Sequence, residues 1–317
     1  MTVLIAGSAN LDYVVRARRV PAAGETVMGR DLATFPGGKG ANQAVAAARA
    51  GGVATLMLLA LGEDAAAQVI ENSLRGAGVT LNVLRTPGVA TGSAFVCLSD
   101  NAENAITVIP GANAALAPEH LPALAGVSHL LLQLETPLAT VTAYAQKARA
   151  VGVHVALNAA PAQALPDALL AALDVLVVNE GELTAIVGPA ANLAEALARL
   201  SVPTVVVTLG ARGCLARSGG RHLLQAAFAI RAVDSTAAGD TFCGVLIAAL
   251  SQGHELAIAL KRASAAAALA CTRLGAQTSV PTQAELDAFL DAHQALPSDE
   301  LARYCGLAPE MLSTIAA

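Results

Sequence analysis

Asp240 follows three small residues, Ala237, Ala238 and Gly239, at the head of the long apolar stretch TFCGVLIAAL. That order reads as a helix N-terminus, where backbone N–H groups lack intrahelical partners and the aligned peptide dipoles favour an anion. Small residues let a phosphate come close to such a backbone. An aspartate at a helix start serves on its own as a cap. Beside developing phosphoryl charge, the same carboxylate is well placed to take a proton from an attacking hydroxyl. The chemistry open to this stretch is phosphoryl transfer, with Ala237 to Gly239 as an anion hole and Asp240 as base.

A phosphoryl acceptor must then sit near Asp240, and FPGGKGAN at 35 to 42 supplies groups to hold one. This run is not a standard phosphate loop: Gly40 follows Lys39 where Ser or Thr is needed, and the first glycine of that motif would fall on Ala33. Gly37 and Gly38 permit close backbone approach, while Lys39 and Asn42 offer donors on the first turn of the next helix. GSANLD at 7 to 12 adds Asn10 and Asp12 just after the first strand. Each residue alone would pass as a turn or cap. Together at strand ends they suit a polyhydroxylated sugar, which needs many donors and acceptors in a small pocket.

The elements that position these residues follow from the apolar pattern. Short β-rich runs (VLIAG, TLMLLA, HLLLQLE, HVALN, DVLVVN, TVVVTLG) alternate with Ala-rich helical stretches at 41–50, 65–77 and 139–150. This is the rhythm of a largely parallel sheet covered by helices on both faces, a three-layer α/β/α fold whose ligands sit at the carboxyl ends of the strands. Residues 11–34 and 90–109 break the rhythm, with turn signals at PAAGE and SDNAEN, and read as strands of a small second sheet. The expected organisation is one α/β domain over 1–292 and an extension over 293–317. The extension reads as two short helices, with Ser298 as N-cap of the first and Pro309 in the first turn of the second.

Bulk properties narrow the function. At 317 residues with 55% hydrophobic content, the chain can bury a large core. No uncharged apolar run approaches the ~18 residues of a membrane span. The start, straight into a strand, favours the cytoplasm. Five scattered cysteines (Cys97, Cys214, Cys243, Cys271 and Cys305) suit neither a disulfide framework nor a CxxC metal site. A net charge of −5 with no Trp gives little with which to grip a phosphate backbone or stack bases, so nucleic acid is not an expected partner.

From about residue 1 to 292 the sequence resembles the PfkB family of sugar and nucleoside kinases. The segments that carry the resemblance are GSANLD, GETVMG, PGGKGANQAVAAARAG, GANAAL, LLQLETP, ALNAAPAQALP, VVNEGE, VTLGARG, DSTAAGDTF and GAQTSVP. The double-glycine and AAGD segments mark the family. GGKGAN with GSANLD points within it to members that act on ribose rather than on adenosine or fructose. The resemblance implies transfer of the γ-phosphate of ATP to the 5-hydroxyl of D-ribose, giving ribose 5-phosphate and ADP, with Mg²⁺ as cofactor and K⁺ as activating ion. By the same resemblance Asp240 is the base and Ala237, Ala238 and Gly239 the anion hole, while Asn10, Asp12, Gly38, Lys39, Asn42 and Glu135 are ribose contacts. Asn179 and Glu182 in NEGE match the motif that organises Mg²⁺ and phosphate. Thr208, Gly210 and Gly213 in TLGARG match a nucleotide-binding turn, and Ser264 borders the adenine. Asp234, which alone would cap a turn, matches a K⁺ ligand with the carbonyls of Thr236, Ala270, Arg273 and Gly275, and with Ser279. The helix-free regions become a lid whose strands pair two subunits into a homodimer.

Two positions depart from the family pattern: Cys243 stands where Asn is common, and Ser264 where a larger polar residue is common, which bears on base preference. Rival readings are a family kinase for 2-deoxyribose or a nucleoside, and a sugar-binding regulatory protein that has lost the chemistry; the intact AAGD and NEGE segments weigh against the second. A dinucleotide oxidoreductase is disfavoured because no GxGxxG opens the first helix after a strand.

Overall fold

Short buried strands and alanine-rich helices succeed one another as the apolar pattern predicts. The computed structural model describes residues 2–99 and 104–307. The first half contains β1 (Thr2–Ala6), β2 (Asn10–Ala17), β3 (Gly29–Gly37), α1 (Lys39–Arg49), β4 (Ala54–Leu61), α2 (Ala65–Gly76), β5 (Thr80–Arg85), β6 (Gly92–Ser99), β7 (Asn104–Ile109), β8 (Val127–Leu132), α3 (Leu138–Ala150) and β9 (His154–Asn158). Then come α4 (Asp167–Leu170), β10 (Val175–Asn179), α5 (Glu180–Val187), α6 (Leu193–Ala198), β11 (Thr204–Thr208), β12 (Gly213–Ser218), β13 (Arg221–Ala226), α7 (Ala238–Ser251), α8 (Leu256–Cys271), α9 (Gln283–Ala292) and α10 (Asp299–Cys305).

The large sheet has nine strands in the order β13-β12-β11-β10-β9-β8-β1-β4-β5. From β11 to β5 all neighbours are parallel. Successive residues of a strand face opposite sides, and in β1 this sorts the core into two layers. Val3 and Ile5 pack with residues of α1, α2, α7, α8 and α9. Leu4 and Ala6 join the opposite cluster with residues of α3, α5 and α6. The result is the three-layer arrangement expected. The hairpin β12–β13, turned at Gly219 and Gly220 with φ of +54° and +77°, adds an antiparallel edge that the alternating pattern did not include. No described helix is long and apolar enough to cross a membrane.

The two helix-free regions build a separate four-stranded sheet in the order β3-β2-β6-β7. Alternation divides β2 cleanly. Asn10, Asp12, Val14 and Arg16 line a cleft against the large sheet, whereas Tyr13, Val15 and Ala17 line a shallow apolar recess on the other side. On that outer side Tyr13 and Phe95 stack with ring centroids 5.1 Å apart. The strands extend slightly past the anticipated limits, to Asn10 and Gly37. Most of the anticipated SDNAEN turn lies outside the described residues.

Past α9 the chain forms one described helix. Ser298 takes the N-cap position of α10, but with φ −91° and ψ −4° its side chain makes no capping bond, so the predicted cap is positional only. The helix anticipated at Pro309 lies outside the described residues.

Candidate active site

The head of α1 is fixed first by backbone. Its N-cap, Gly38, has φ +88° and ψ 135°, and a Cβ there would lie 2.8 Å from Ala9 Cα and Asn10 N. Only glycine fits that conformation and that approach. Gly37 pairs with Asn10 in the β2–β3 register, so FPGGKGAN lies directly against GSANLD. The Glu135 carboxylate joins them, its Oε2 accepting from Lys39 N–H at 3.1 Å and from the Ser8 hydroxyl at 2.6 Å. Asn113 orients Asn10, donating from Nδ2 to Asn10 Oδ1 at 2.8 Å.

Asp240 arrives from the far end of the chain on α7. The N-cap Ala237 is left-handed, with φ 57°, a costly setting for a residue with a Cβ and one that occurs often at active sites. Its turn lets Ala238 N–H donate to Ser235 O at 3.2 Å, so this donor is already engaged, contrary to the expectation that all three N–H groups are unpaired. At Gly239 an added Cβ would meet nothing within 4 Å, so the backbone there faces open space. Asp240 lies in the first turn of α7 and does not cap it. Its carboxylate accepts from Asn42 Nδ2 on one oxygen and Gln43 Nε2 on the other, each at 3.0 Å. These contacts require α1 and α7 to cross closely, and Gly244 permits it: a Cβ there would stand 2.4 Å from Gln43 O.

Burial pushes the Asp240 carboxyl above its ordinary range, while Lys39, Asn42 and Gln43 partly offset the shift. Burial works against the Lys39 ammonium, but Asp240, Glu135 and Glu182 outweigh it and hold the pKa above its usual value. Asp12 is pushed up to about 7, first by burial and then by the charges of Glu135 and Asp240.

Asn10, Asp12, Gly38, Lys39, Asn42, Glu135 and Asp240 all line one cleft of about 700 Å³. Two of its buried oxygens, Asp12 Oδ1 and Asn42 Oδ1, have no protein hydrogen-bond partner. Both are acceptors, and the protein supplies no donor to either.

The residues assigned to nucleotide lie beyond this cleft. Asn179 and Glu182 form a reciprocal capping box on α5, both bonds at 2.8 Å. Burial raises the Glu182 pKa, with Lys39 and a backbone bond opposing it. Thr208 is register partner to Asn179 on the adjacent strand, which brings NEGE and TLGARG side by side. Gly210 and Gly213 have φ of +57° and +113°. Ser264 is buried on α8 with its hydroxyl 4.0 Å from Cys214 Sγ, and Cys243 is a buried thiol whose pKa burial raises far above normal.

The residues matched to a K⁺ site converge as two loops. Asp234 Oδ1 accepts from Thr236 N–H and Oγ1, and Asp234 Oδ2 accepts from Gly275 N–H at 3.0 Å. Burial alone would raise the Asp234 pKa; these bonds and Arg16 hold it below the usual value. In the second loop Ala270 O accepts from Arg273 N–H, and the Ser279 hydroxyl donates to Ala276 O. Among the described residues no three His, Cys, Asp or Glu side chains cluster as metal ligands.

Gln43 was missed in the sequence reading, as were Ser8, Asn113, Gln133 and Asn158. Gln133 Nε2 donates to Gln43 Oε1 at 2.6 Å, and Gln43 Nε2 also reaches Asn158 Oδ1 at 3.0 Å, so Gln43 is held from two sides. Gln43 is the fifth residue of α1, and its residue type alone gave no sign of these partners.

Comparison with known proteins shows the family. The model of the pfkB family carbohydrate kinases matches residues 2–283. The chain is 36% identical over 302 residues to a ribokinase of Haemophilus influenzae, with 92% of this chain and 98% of that one covered. It is 34% identical over 293 residues to a ribokinase of Bacillus subtilis, covering 91% and 99%. Among solved structures, Arabidopsis thaliana ribokinase complexed with ribose and ATP superposes with a TM-score of 0.84 at 32% identity, covering 91% of this chain and 98% of that one.

Proposed function

Because the chain belongs to the pfkB family of carbohydrate kinases, we propose that it phosphorylates D-ribose at the 5-hydroxyl with ATP, giving ribose 5-phosphate and ADP. The observation that carries the reading is the buried Asp240 carboxylate in the wall of a cleft that Asn10, Asp12, Lys39, Asn42 and Glu135 also line, a set of donors and acceptors that suits sugar hydroxyls. Asp240 accepts the 5-hydroxyl proton as that oxygen bonds to the γ-phosphorus and the bond to the departing ADP oxygen breaks. The uncrowded backbone at Gly239, on the positive end of α7, would supply an N–H to the phosphoryl charge. Lys39 adds a cation close to Asp240 and Glu182. Asn10, Asp12, Glu135 and Asn42 hold the sugar, and most of the rate enhancement is positioning and charge stabilisation.

Asn179 and Glu182 are the groups that would hold Mg²⁺, which when bound neutralises phosphate charge. The nucleotide rests on Thr208, Gly210 and Gly213, with Ser264 and Cys243 at its border. We place the reaction in the cytoplasm, where ATP is available; recovery in a membrane or secreted fraction would refute this.

The test of the sugar assignment is an ADP-release assay across ribose, 2-deoxyribose, fructose and nucleosides. A site that bonds the 2-hydroxyl leaves its own polar groups unpaired when that hydroxyl is missing, so kcat/KM for ribose should exceed that for 2-deoxyribose by about tenfold or more. Equal values would favour the deoxyribose or nucleoside reading.

K⁺ is assigned to the loops around Asp234 and Gly275. A weakly hydrated cation held there by Asp234, Ser279 and the carbonyls of Thr236, Ala270, Arg273 and Gly275 would steady the segment carrying Ala237 to Gly239 without touching substrate. Activity in K⁺ should stand well above that in Na⁺ or Tris, and Asp234→Ala should remove the difference. Identical rates in the three buffers would dispose of the ion.

The lid is proposed to pair two copies. Its outer side exposes Phe95 (48%) beside Tyr13 on a thin sheet, and such surfaces invite pairing. Light scattering at micromolar concentration should give a dimer, and a monomer would overturn this.

A further inference from the structure

After α9 the chain crosses the edge strand of the large sheet. Leu296 N–H donates to Ala227 O at 2.8 Å, and Phe228 bridges Ala295. Leu286 and Phe289 of α9 belong to one face of the sheet, whereas Leu301, Ala302 and Cys305 of α10 belong to the other, with Leu209, Leu215 and Leu224. The segment is thus a strap around β13, and the family match ends at residue 283, before it.

One residue of the strap is not explained by packing. Tyr304 is 42% exposed, yet it makes two specific contacts. Its hydroxyl donates to Glu180 Oε1 at 2.5 Å, and the Arg212 guanidinium lies 4.1 Å from its ring centroid. Glu180 stands between Asn179 and Glu182 at the head of α5. Arg212 belongs to the Thr208–Gly213 turn. A single ring therefore ties together the two segments assigned to nucleotide, through an anion on one and a cation on the other.

We propose that Tyr304 is a positioning residue for the nucleotide subsite, with α10 holding the Thr208–Gly213 turn and the head of α5 at a fixed spacing. This rests on the assignment of those segments to ATP made above. Without the ring, ATP must order the two loops itself, so the loss falls on nucleotide affinity. The sugar cleft, built from α1, β2 and α7, is untouched.

The experiment measures Mg-ATP affinity by calorimetry without sugar, and KM for ATP and for ribose, in the full chain and three variants. Tyr304→Ala removes both contacts and should weaken ATP binding about fivefold, with ribose KM and kcat at saturating ATP within about twofold. Tyr304→Phe keeps the ring over Arg212 and should recover part of the loss. Arg303→Ala, exposed on the same helix, should change nothing. Thermal melting of each variant separates unfolding from local loss, and Tyr304→Phe keeps the test usable if the alanine variant fails to fold. Unchanged ATP affinity in Tyr304→Ala, or equal weakening for ATP and ribose, overturns the proposal. If the parent binds ATP but does not phosphorylate ribose, the sugar assignment fails while the Tyr304 result still decides this one; a parent that binds no ATP overturns both.

Discussion

Asp240→Asn should lower kcat by ~10²-fold or more while D-ribose still binds, because the amide keeps the shape of the side chain and loses the base. The surroundings can tolerate the change. Asp240 receives one N–H from Asn42 and one from Gln43, and the amide can accept only one of them. Asn42 has an unpartnered Oδ1, so a half-turn of its own amide presents an acceptor to the new NH₂ group and restores the pair, at the cost of exchanging the one Asn42 group left for the sugar from acceptor to donor. The loss is then chemical and not structural. Ribose affinity by calorimetry should stay within about tenfold of the parent's, the change of one hydrogen bond, as turnover collapses. The pH profile supplies a second reading: burial raises the Asp240 pKa, so the acid limb of kcat/KM should lie above the pH of an ordinary carboxylate. Near-normal turnover in the amide variant would end the assignment of Asp240 as base.

Gly38→Ala should damage sugar binding instead of turnover. The glycine sits at φ +88°, where an L residue is strained by about 1–3 kcal/mol. Its new methyl would also meet the Ala9 and Asn10 backbone at 2.8 Å. Those atoms are main chain and cannot swing away, so relief requires the head of α1 to back off from β2. That motion separates Lys39 and Asn42 from Asn10 and Asp12, which must converge on one sugar. We expect ribose KM to rise roughly 5- to 150-fold, the range that such a strain energy spans if it is relieved only by leaving the binding geometry. Nucleotide affinity should be almost unchanged. An alanine variant with parental ribose KM would show that the close approach is dispensable.

The parts of this site that sequence revealed are those whose chemistry is local. Asp240 could be read because three small residues and a helix start surround it, and Gly38 because paired glycines before a lysine are uncommon without a ligand. The parallel sheet was legible because its strands are buried on both faces and so form continuous apolar runs. Gln43 was not legible, since its value depends on α7 crossing α1 at Gly244, a contact between segments about 200 residues apart. The β12–β13 edge was missed although Gly219 and Gly220 mark its turn, because the search for strands alternating with helices has no place for two antiparallel strands in succession. Tyr304 carried no signal either, for its partners Glu180 and Arg212 come from separate loops. The engaged N–H of Ala238 was hidden for a different reason: it follows from the left-handed setting of Ala237, and alanine seldom adopts that conformation.

The hydrogen bonds from Asn42 and Gln43 to Asp240 span 198 and 197 positions of the chain. During synthesis the sugar-facing wall leaves the ribosome while α7 is still unmade, and no local rearrangement can substitute for it. Contacts of such long range form late in folding, because their loop-closure entropy must be met before they stabilise anything. The cleft itself is closed only then, since Asp234, Thr236, Ala237, Asp240 and Gly275 line it together with Asn10 and Asp12. Regain of turnover after denaturation should trail regain of helical signal, which makes enzymatic activity a report on completion of folding and not on its onset.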